Sequence, residues 1–143
     1  MSEHENIKIA QASWDAINAH DLDKWSQLLA ADYQAEAPGQ PGPMNKEQTR
    51  AYIQGFLTAV PDLHYEVTRT VAKDDDVVMH WTGTGTQTGP LVTPSGGSIP
   101  ATGKWAQVPG STTFEVEHGK IKRSWIFWDM ITLLAQLGVM PAM

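Results

Sequence analysis

The sequence predicts an α+β fold, because helix-patterned segments come first, alternating apolar and polar runs follow, and one apolar segment of helical spacing closes the chain. The runs are joined by short turns, so the sheet is expected to be mostly antiparallel. A strongly curved sheet wrapped by the early helices would enclose one pocket. With 143 residues and a 41% apolar fraction, one domain over 1–143 with one core is the natural expectation.

Ser2 and Glu5 have capping-box spacing, and Ile7, Ala10, Trp14 and Ile17 follow at helical spacing up to about Asn18. Asp21 can cap a short second helix through Leu22, Trp25, Leu28 and Leu29. A brief strand is expected over Tyr33 to Ala37, followed by the proline- and glycine-rich Ala37 to Pro43. Asn45 starts a third helix that buries Ile53, Phe56, Leu57 and Val60 and stops at Pro61. The period then changes to two: Leu63, Tyr65, Val67 and Val71 alternate with polar residues. Asp74, Asp75 and Asp76 form a turn into a second strand from Val77 to about Gln87. Gly89 to Gly103 reads as a long loop. Strands over Trp105 to Glu117 and Lys120 to Trp128 meet at the turn His118-Gly119. The last helix uses Met130, Leu133, Leu134 and Leu137, and Gly138 ends it.

Composition removes several classes of function. A net charge of -6 with scattered basic residues attracts neither nucleic acid nor an anionic membrane surface. The chain has no cysteine, so disulfides, thiolate metal sites and a cysteine nucleophile are excluded. No run is long enough to span a bilayer, and the first residues lack a signal-like apolar core, so a soluble cytoplasmic protein is expected. The histidines lack metal-ligand spacing such as HExxH, so no metal site is expected. Ser95, Ser98 and Ser111 stand in no nucleophile elbow.

The chemically most informative residue is Asp129, which stands where period two gives way to period 3.6, after Trp125, Phe127 and Trp128. Among aromatics, with little water to solvate it, a carboxylate has a raised pKa and is a stronger base. As the first residue before a helix, the same Asp is a favoured, solvated N-cap. Both readings are open. Strand parity adds a constraint, since residues two apart share a face. If Asp129 faces the pocket, Trp125 and Phe127 line it beside that acid. On the second long strand Gln87 shares a face with Trp81 and Met79, while His80, Thr82, Thr84 and Thr86 lie opposite. Tyr33 either presents its hydroxyl to the pocket or packs in the core.

The segments NAHDLD (Asn18 to Asp23), HWTGTGTQTG (His80 to Gly89), PATGK (Pro100 to Lys104), HGKI (His118 to Ile121) and WDMITLLAQLG (Trp128 to Gly138) occur in order. Together they resemble the SnoaL-like polyketide cyclases, or ester cyclases, of the nuclear-transport-factor-2-like superfamily, over nearly the whole chain. The resemblance implies a cone-shaped α+β barrel, dimeric through the outer face of the sheet. It also implies cofactor-free chemistry, in which an acid before the QLG helix removes a proton next to a carbonyl and the enolate closes a ring by aldol addition. The matching acid is Asp129. Family members often carry GTHTG where this chain has GTQTG, so Gln87 replaces a histidine. An amide can donate to an oxyanion but cannot transfer a proton.

The expected function is therefore a cofactor-independent enzyme acting on a small apolar carbonyl compound by cyclisation or isomerisation. Asp129 would be its base, Gln87 its oxyanion donor, and Tyr33, Trp81, Trp125 and Phe127 its substrate contacts. A homodimer is expected, with no cofactor and no metal. Two alternatives stand beside it: a non-catalytic binding or dimerisation module, and an epoxide-hydrolase-like enzyme. The second needs acids and a cation in one pocket. Arg123 shares parity with Asp129 but lies about 20 Å away along an extended strand.

Overall fold

The computed structural model describes residues 2–92 and 96–140. Helix α1 covers Glu3–Asn18, α2 covers Leu22–Gln27, and strand β1 covers Leu29–Glu36. Helix α3 (Lys46–Ala59) precedes strands β2 (His64–Lys73) and β3 (Asp76–Thr86). Two short strands, β4 (Leu91–Val92) and β5 (Ser98–Ile99), come before β6 (Trp105–Glu117), β7 (Lys120–Trp128) and helix α4 (Met130–Leu137). The α+β expectation holds. One five-stranded sheet runs β1-β7-β6-β3-β2, antiparallel except for the parallel pairing of β1 with β7.

Local chemistry explains the helix starts. The Ser2 hydroxyl accepts from the Glu5 amide at 3.1 Å, which satisfies one free donor of α1. The full reciprocal box forms at α3, where Asn45 Oδ1 accepts from the Gln48 amide and Gln48 Oε1 from the Asn45 amide. At the β6–β7 hairpin His118 and Gly119 have φ of 53° and 76°, the left-handed pair that a tight two-residue turn requires.

Four sequence expectations need correction. Leu29 opens β1 rather than closing α2, because its amide segment pairs with β7 at Ile121. Val71 is 50% exposed instead of facing the core, since the register shifts between Val67 and Arg69 and inverts the alternation beyond it. The segment Gly89 to Gly103 is not irregular throughout, for β4 and β5 pair within it, Leu91 opposite Ile99; its residues 93–95, Ser95 included, lie outside the described residues. In β7 the inward residues are Ile121, Ser124, Ile126 and Trp128, not Trp125 and Phe127. Glu115 stands opposite Arg123 and Val116 opposite Ile121, so Lys122 is an extra residue that restarts the alternation.

The core lies between the inner face of the sheet and α1–α3. Trp14 is its hub, with ring centroids 4.9 Å from Tyr65, 5.6 Å from Trp81 and 6.1 Å from Phe114. Tilted and edge-on aromatic pairs at these distances add to what burial alone supplies. Among the described residues, no helix is long and apolar enough to cross a membrane.

Trp81 depends on a glycine. Gly110 is its cross-strand partner, and a Cβ there would overlap the indole ring, whose Nε1 donates to Thr112 Oγ1 at 3.0 Å. Gly110→Ala must therefore displace Trp81 from the core, and overpacking of this kind costs about 1–3 kcal/mol. The expected outcome is a lower urea midpoint with altered tryptophan fluorescence. An unchanged midpoint would show that Trp81 does not need this bed.

Candidate functional site

A cavity of about 120 Å³ lies between the inner face of the sheet and the helices. Each of its walls follows from a local pattern. Helix α1 contributes Ser13, Trp14 and Ile17, and α3 contributes Thr49, Tyr52, Ile53 and Phe56 at positions that share one helical face. From the sheet come Tyr33, Tyr65, Trp81, Thr112, Phe114, Ser124, Ile126 and Trp128. Among the described lining residues none is acidic, basic or histidine.

Most small polar groups on the wall are already occupied. Ser13 Oγ donates to the Ala10 carbonyl at 2.6 Å, and Thr49 Oγ1 donates to the Asn45 carbonyl at 2.8 Å. Thr112 Oγ1 accepts from Trp81. The tyrosines therefore supply the characteristic chemistry of the wall. Burial of the Tyr33 hydroxyl pushes its pKa up to about 12, partly offset by hydrogen bonding with Ser124. Burial also raises Tyr52, against a lowering by its bond with Trp128, whose Nε1 donates to Tyr52 Oη at 2.9 Å. For Tyr65 burial raises the pKa, and the proximity of Tyr52 raises it further. All three are neutral phenols at ordinary pH, able to donate hydrogen bonds and unable to act as bases. Trp14 Nε1 is buried without a partner among the described residues, which costs about 1–3 kcal/mol.

Of the residues expected from sequence, Tyr33, Trp81 and Gln87 lie in the cavity wall. Gln87 is only 1% exposed, yet its amide is fully used. Its Nε2 donates toward the carbonyls of Gly89, Ile99 and Pro100 at 3.1, 3.4 and 3.2 Å. Its Oε1 accepts from the Thr102 amide and hydroxyl at 3.2 and 2.7 Å. Gln87 thus clasps the segment between β3 and β6, and the expected free oxyanion donor is corrected to a structural clamp. That segment brings Leu91 to the cavity wall.

Phe127 is 65% exposed and Trp125 half-buried on the outer face, where they pair with Ser111 and Thr113 of β6. Neither lines the cavity, which corrects that expectation. Asp129 shares their exposure. Its Oδ1 accepts from the Thr132 amide at 2.9 Å and its Oδ2 from the Thr132 hydroxyl at 2.6 Å. These bonds, the hydroxyl's first, hold its pKa below the ordinary carboxylate value. The expected raised pKa is therefore overturned: Asp129 caps α4 in water. It still adjoins the cavity along the chain, since Trp128 before it and Leu133 one turn later both line the wall.

Sequence reasoning missed Tyr52 and did not assign Tyr65 or Trp128 to the site. Tyr52 was legible in one respect, because Thr49, Tyr52, Ile53 and Phe56 have the i, i+3, i+4, i+7 spacing of a single helical face.

The buried tyrosines make a pH prediction. In the unfolded chain a tyrosine releases its proton near pH 10, whereas here Tyr33, Tyr52 and Tyr65 hold theirs to higher pH. Below about pH 10 these groups leave stability unchanged, and above it only the unfolded chain releases protons, so stability falls as pH rises toward the folded values. Urea midpoints should be flat between about pH 8 and 9 and drop between about pH 10 and 11.5. A flat profile through that upper window would show that the phenols are not buried.

Comparison with known proteins agrees with this architecture. A family model described as SnoaL-like polyketide cyclase matches residues 7–137. No curated protein sequence matches the chain. Among solved structures, AclR from Streptomyces galilaeus, described as a candidate hydroxylase, superposes with a TM-score of 0.86 at 24% identity, covering 98% of this chain and 100% of that one. TsrD from Streptomyces laurentii gives 0.82 at 25% identity, covering 97% and 98%. IdmH from Streptomyces antibioticus, described as a candidate polyketide cyclase, gives 0.81 at 25%, covering 94% and 99%. With the family model spanning nearly the whole chain and the cone-shaped fold shared, this protein belongs to the SnoaL-like polyketide cyclase family.

Proposed function

We propose that this chain is a cofactor-independent enzyme that takes a small, largely apolar carbonyl compound into the aromatic cavity and promotes proton removal beside the carbonyl. Aldol-type cyclisation or isomerisation then follows from the enolate. Family membership supports cofactor-free cyclase or isomerase chemistry at the level of the family. The observation that carries the reading is the wall itself: aromatic and aliphatic side chains interrupted by neutral tyrosine hydroxyls, with no charge among its described residues. Such a wall favours an apolar ligand and offers donors to one oxygen.

Asp129 is the base in this reading. Its lowered pKa keeps it ionised and ready to accept a proton, while making it a weaker base than a desolvated acid. Donors on the carbonyl compensate by stabilising the enolate. The same Thr132 bonds favour a second reading, a binding module in which Asp129 only caps α4. A hydrolase using several acids and a cation finds no support, because no charged side chain lines the described cavity.

Asp129→Asn distinguishes the two readings. An amide keeps the shape and cannot take the proton, so kcat should fall by about 10²–10⁴-fold while ligand affinity is retained. Unchanged turnover would remove Asp129 from the mechanism. A wild-type protein that binds apolar ketones and turns none over would establish the binding module.

We also propose a homodimer through the outer face of the sheet, where Trp105 and Phe127 are 58% and 65% exposed. Large exposed apolar groups on a sheet face mark interaction surfaces. The double change Trp105→Glu and Phe127→Glu should convert a dimer to a monomer in sedimentation equilibrium. A monomeric wild-type protein would refute the assembly.

A further inference from the structure

Two of the wall's phenols form a pair mounted on separate elements. Tyr52 comes from α3 and Tyr65 from β2, on separate elements, and both line the cavity. Trp128 Nε1 donates to Tyr52 Oη at 2.9 Å, so the Tyr52 proton is left free to point at another acceptor. Tyr65 uses its backbone amide and carbonyl for Asn18, at 2.8 and 2.9 Å, which fixes the start of β2 on the end of α1. Its ring is held between Trp14 and Trp81, with centroids at 4.9 and 5.0 Å. Among the described residues its hydroxyl makes no hydrogen bond. The two phenols are close enough that charge on Tyr52 opposes ionisation of Tyr65.

We propose that the Tyr52 and Tyr65 hydroxyls together receive the carbonyl oxygen of the ligand, with Trp128 as the positioning residue that orients Tyr52. This rests on the cavity being the ligand site. As the C–H bond beside the carbonyl breaks, the proton goes to the base and the electron pair forms the C=C bond. Negative charge then arrives on the oxygen. Both tyrosines keep their protons and answer that charge with two hydrogen bonds. The indole N–H donating to Tyr52 polarises its hydroxyl and strengthens its own donation. Rigid mounting matters because donors already in place need no reorganisation when charge develops. The ligand class that follows is an apolar ketone or related carbonyl compound, and a hydrocarbon of the same shape gains nothing from the pair.

The test uses 1-tetralone and tetralin, which differ at the carbonyl, with binding read from quenching of tryptophan fluorescence. Tyr52→Phe and Tyr65→Phe should each weaken 1-tetralone by about three- to tenfold, the worth of one hydrogen bond, and leave tetralin within about twofold. Trp128→Phe should weaken the ketone selectively and by less. The carbonyl stretch of bound 1-tetralone gives a spectroscopic signature: lowered in the wild-type protein, and returned toward its value in an apolar solvent in the double Tyr→Phe variant. Equal loss of both ligands in the tyrosine variants would overturn the proposal, because the phenols would then only build the cavity. Unchanged ketone affinity would overturn it as well while leaving the cavity as the ligand site. A wild-type protein that binds neither probe would overturn the cavity reading and this proposal with it.

Discussion

Which face of the last strand meets the cavity is decided by one extra residue, Lys122, left without a partner between Arg123 opposite Glu115 and Ile121 opposite Val116. The side-chain period of a strand is two, so an insertion of one residue exchanges the faces downstream of it. Ile121 and Ser124 are three apart and both buried for this reason. Everything after them inherits the choice. Ser124, Ile126 and Trp128 enter the cavity, whereas Trp125, Phe127 and Asp129 go to the outside. Only in this arrangement does Trp128 reach Tyr52 and tie α3 to the sheet across the cavity.

The interior that results disfavours charge. An anion placed among Trp14, Phe56, Trp81 and Phe114 would lose its hydration and find no counter-ion among the described lining. The groups that remain are those able to stay neutral, the three tyrosines, and their raised pKa values are the electrostatic record of that environment. Gln87 follows the same rule by another route. A buried amide must satisfy both ends, and it does so on the carbonyls and hydroxyl of the segment it clasps. The clamp in turn keeps Leu91 against the wall, so a polar residue maintains an apolar surface.

The fold was largely legible because its signals are local and repeated. Asn45 through its side chain, and the Asp74–Asp76 turn, His118-Gly119 and Gly138 through their backbones, each punctuate an element, and the structure places element ends near all of them. The site was legible only in part. Trp81 and Gln87 were found because β3 keeps its alternation against β6 from Asp76 to Thr86, whereas Tyr33, on β1, could be read from its sequence either as core or as cavity wall. Trp125 and Phe127 were misplaced although they do share a face with Asp129, as parity requires. The face was wrong, since no turn residue or glycine marks the bulge at Lys122. Val71 failed similarly at the shift after Val67. A bulge is a property of two strands in register, and one strand's sequence need not reveal it.

The outward course of Asp129 sets a geometric condition on the chemistry. A carboxylate within the wall would be desolvated and partly protonated, whereas one capping a helix at the surface stays ionised and anchored, here by Thr132. A surface base can act only on a carbon that approaches the rim, because the transferred proton must lie within hydrogen-bond reach, about 2.6–3.2 Å between heavy atoms. That carbon is bonded directly to the carbonyl carbon, so the oxygen must also be held near the same end of the cavity. Through its bond to Trp128, the residue immediately before Asp129, Tyr52 is the phenol tied to this end of β7. Tyr33, whose neighbours are Ser124 and Trp25, has no such link to the end of β7. On the proposed reading, enolisation by Asp129 requires the carbonyl to sit at Tyr52 rather than at Tyr33, and the ligand's position along the cavity would then separate catalysis from storage.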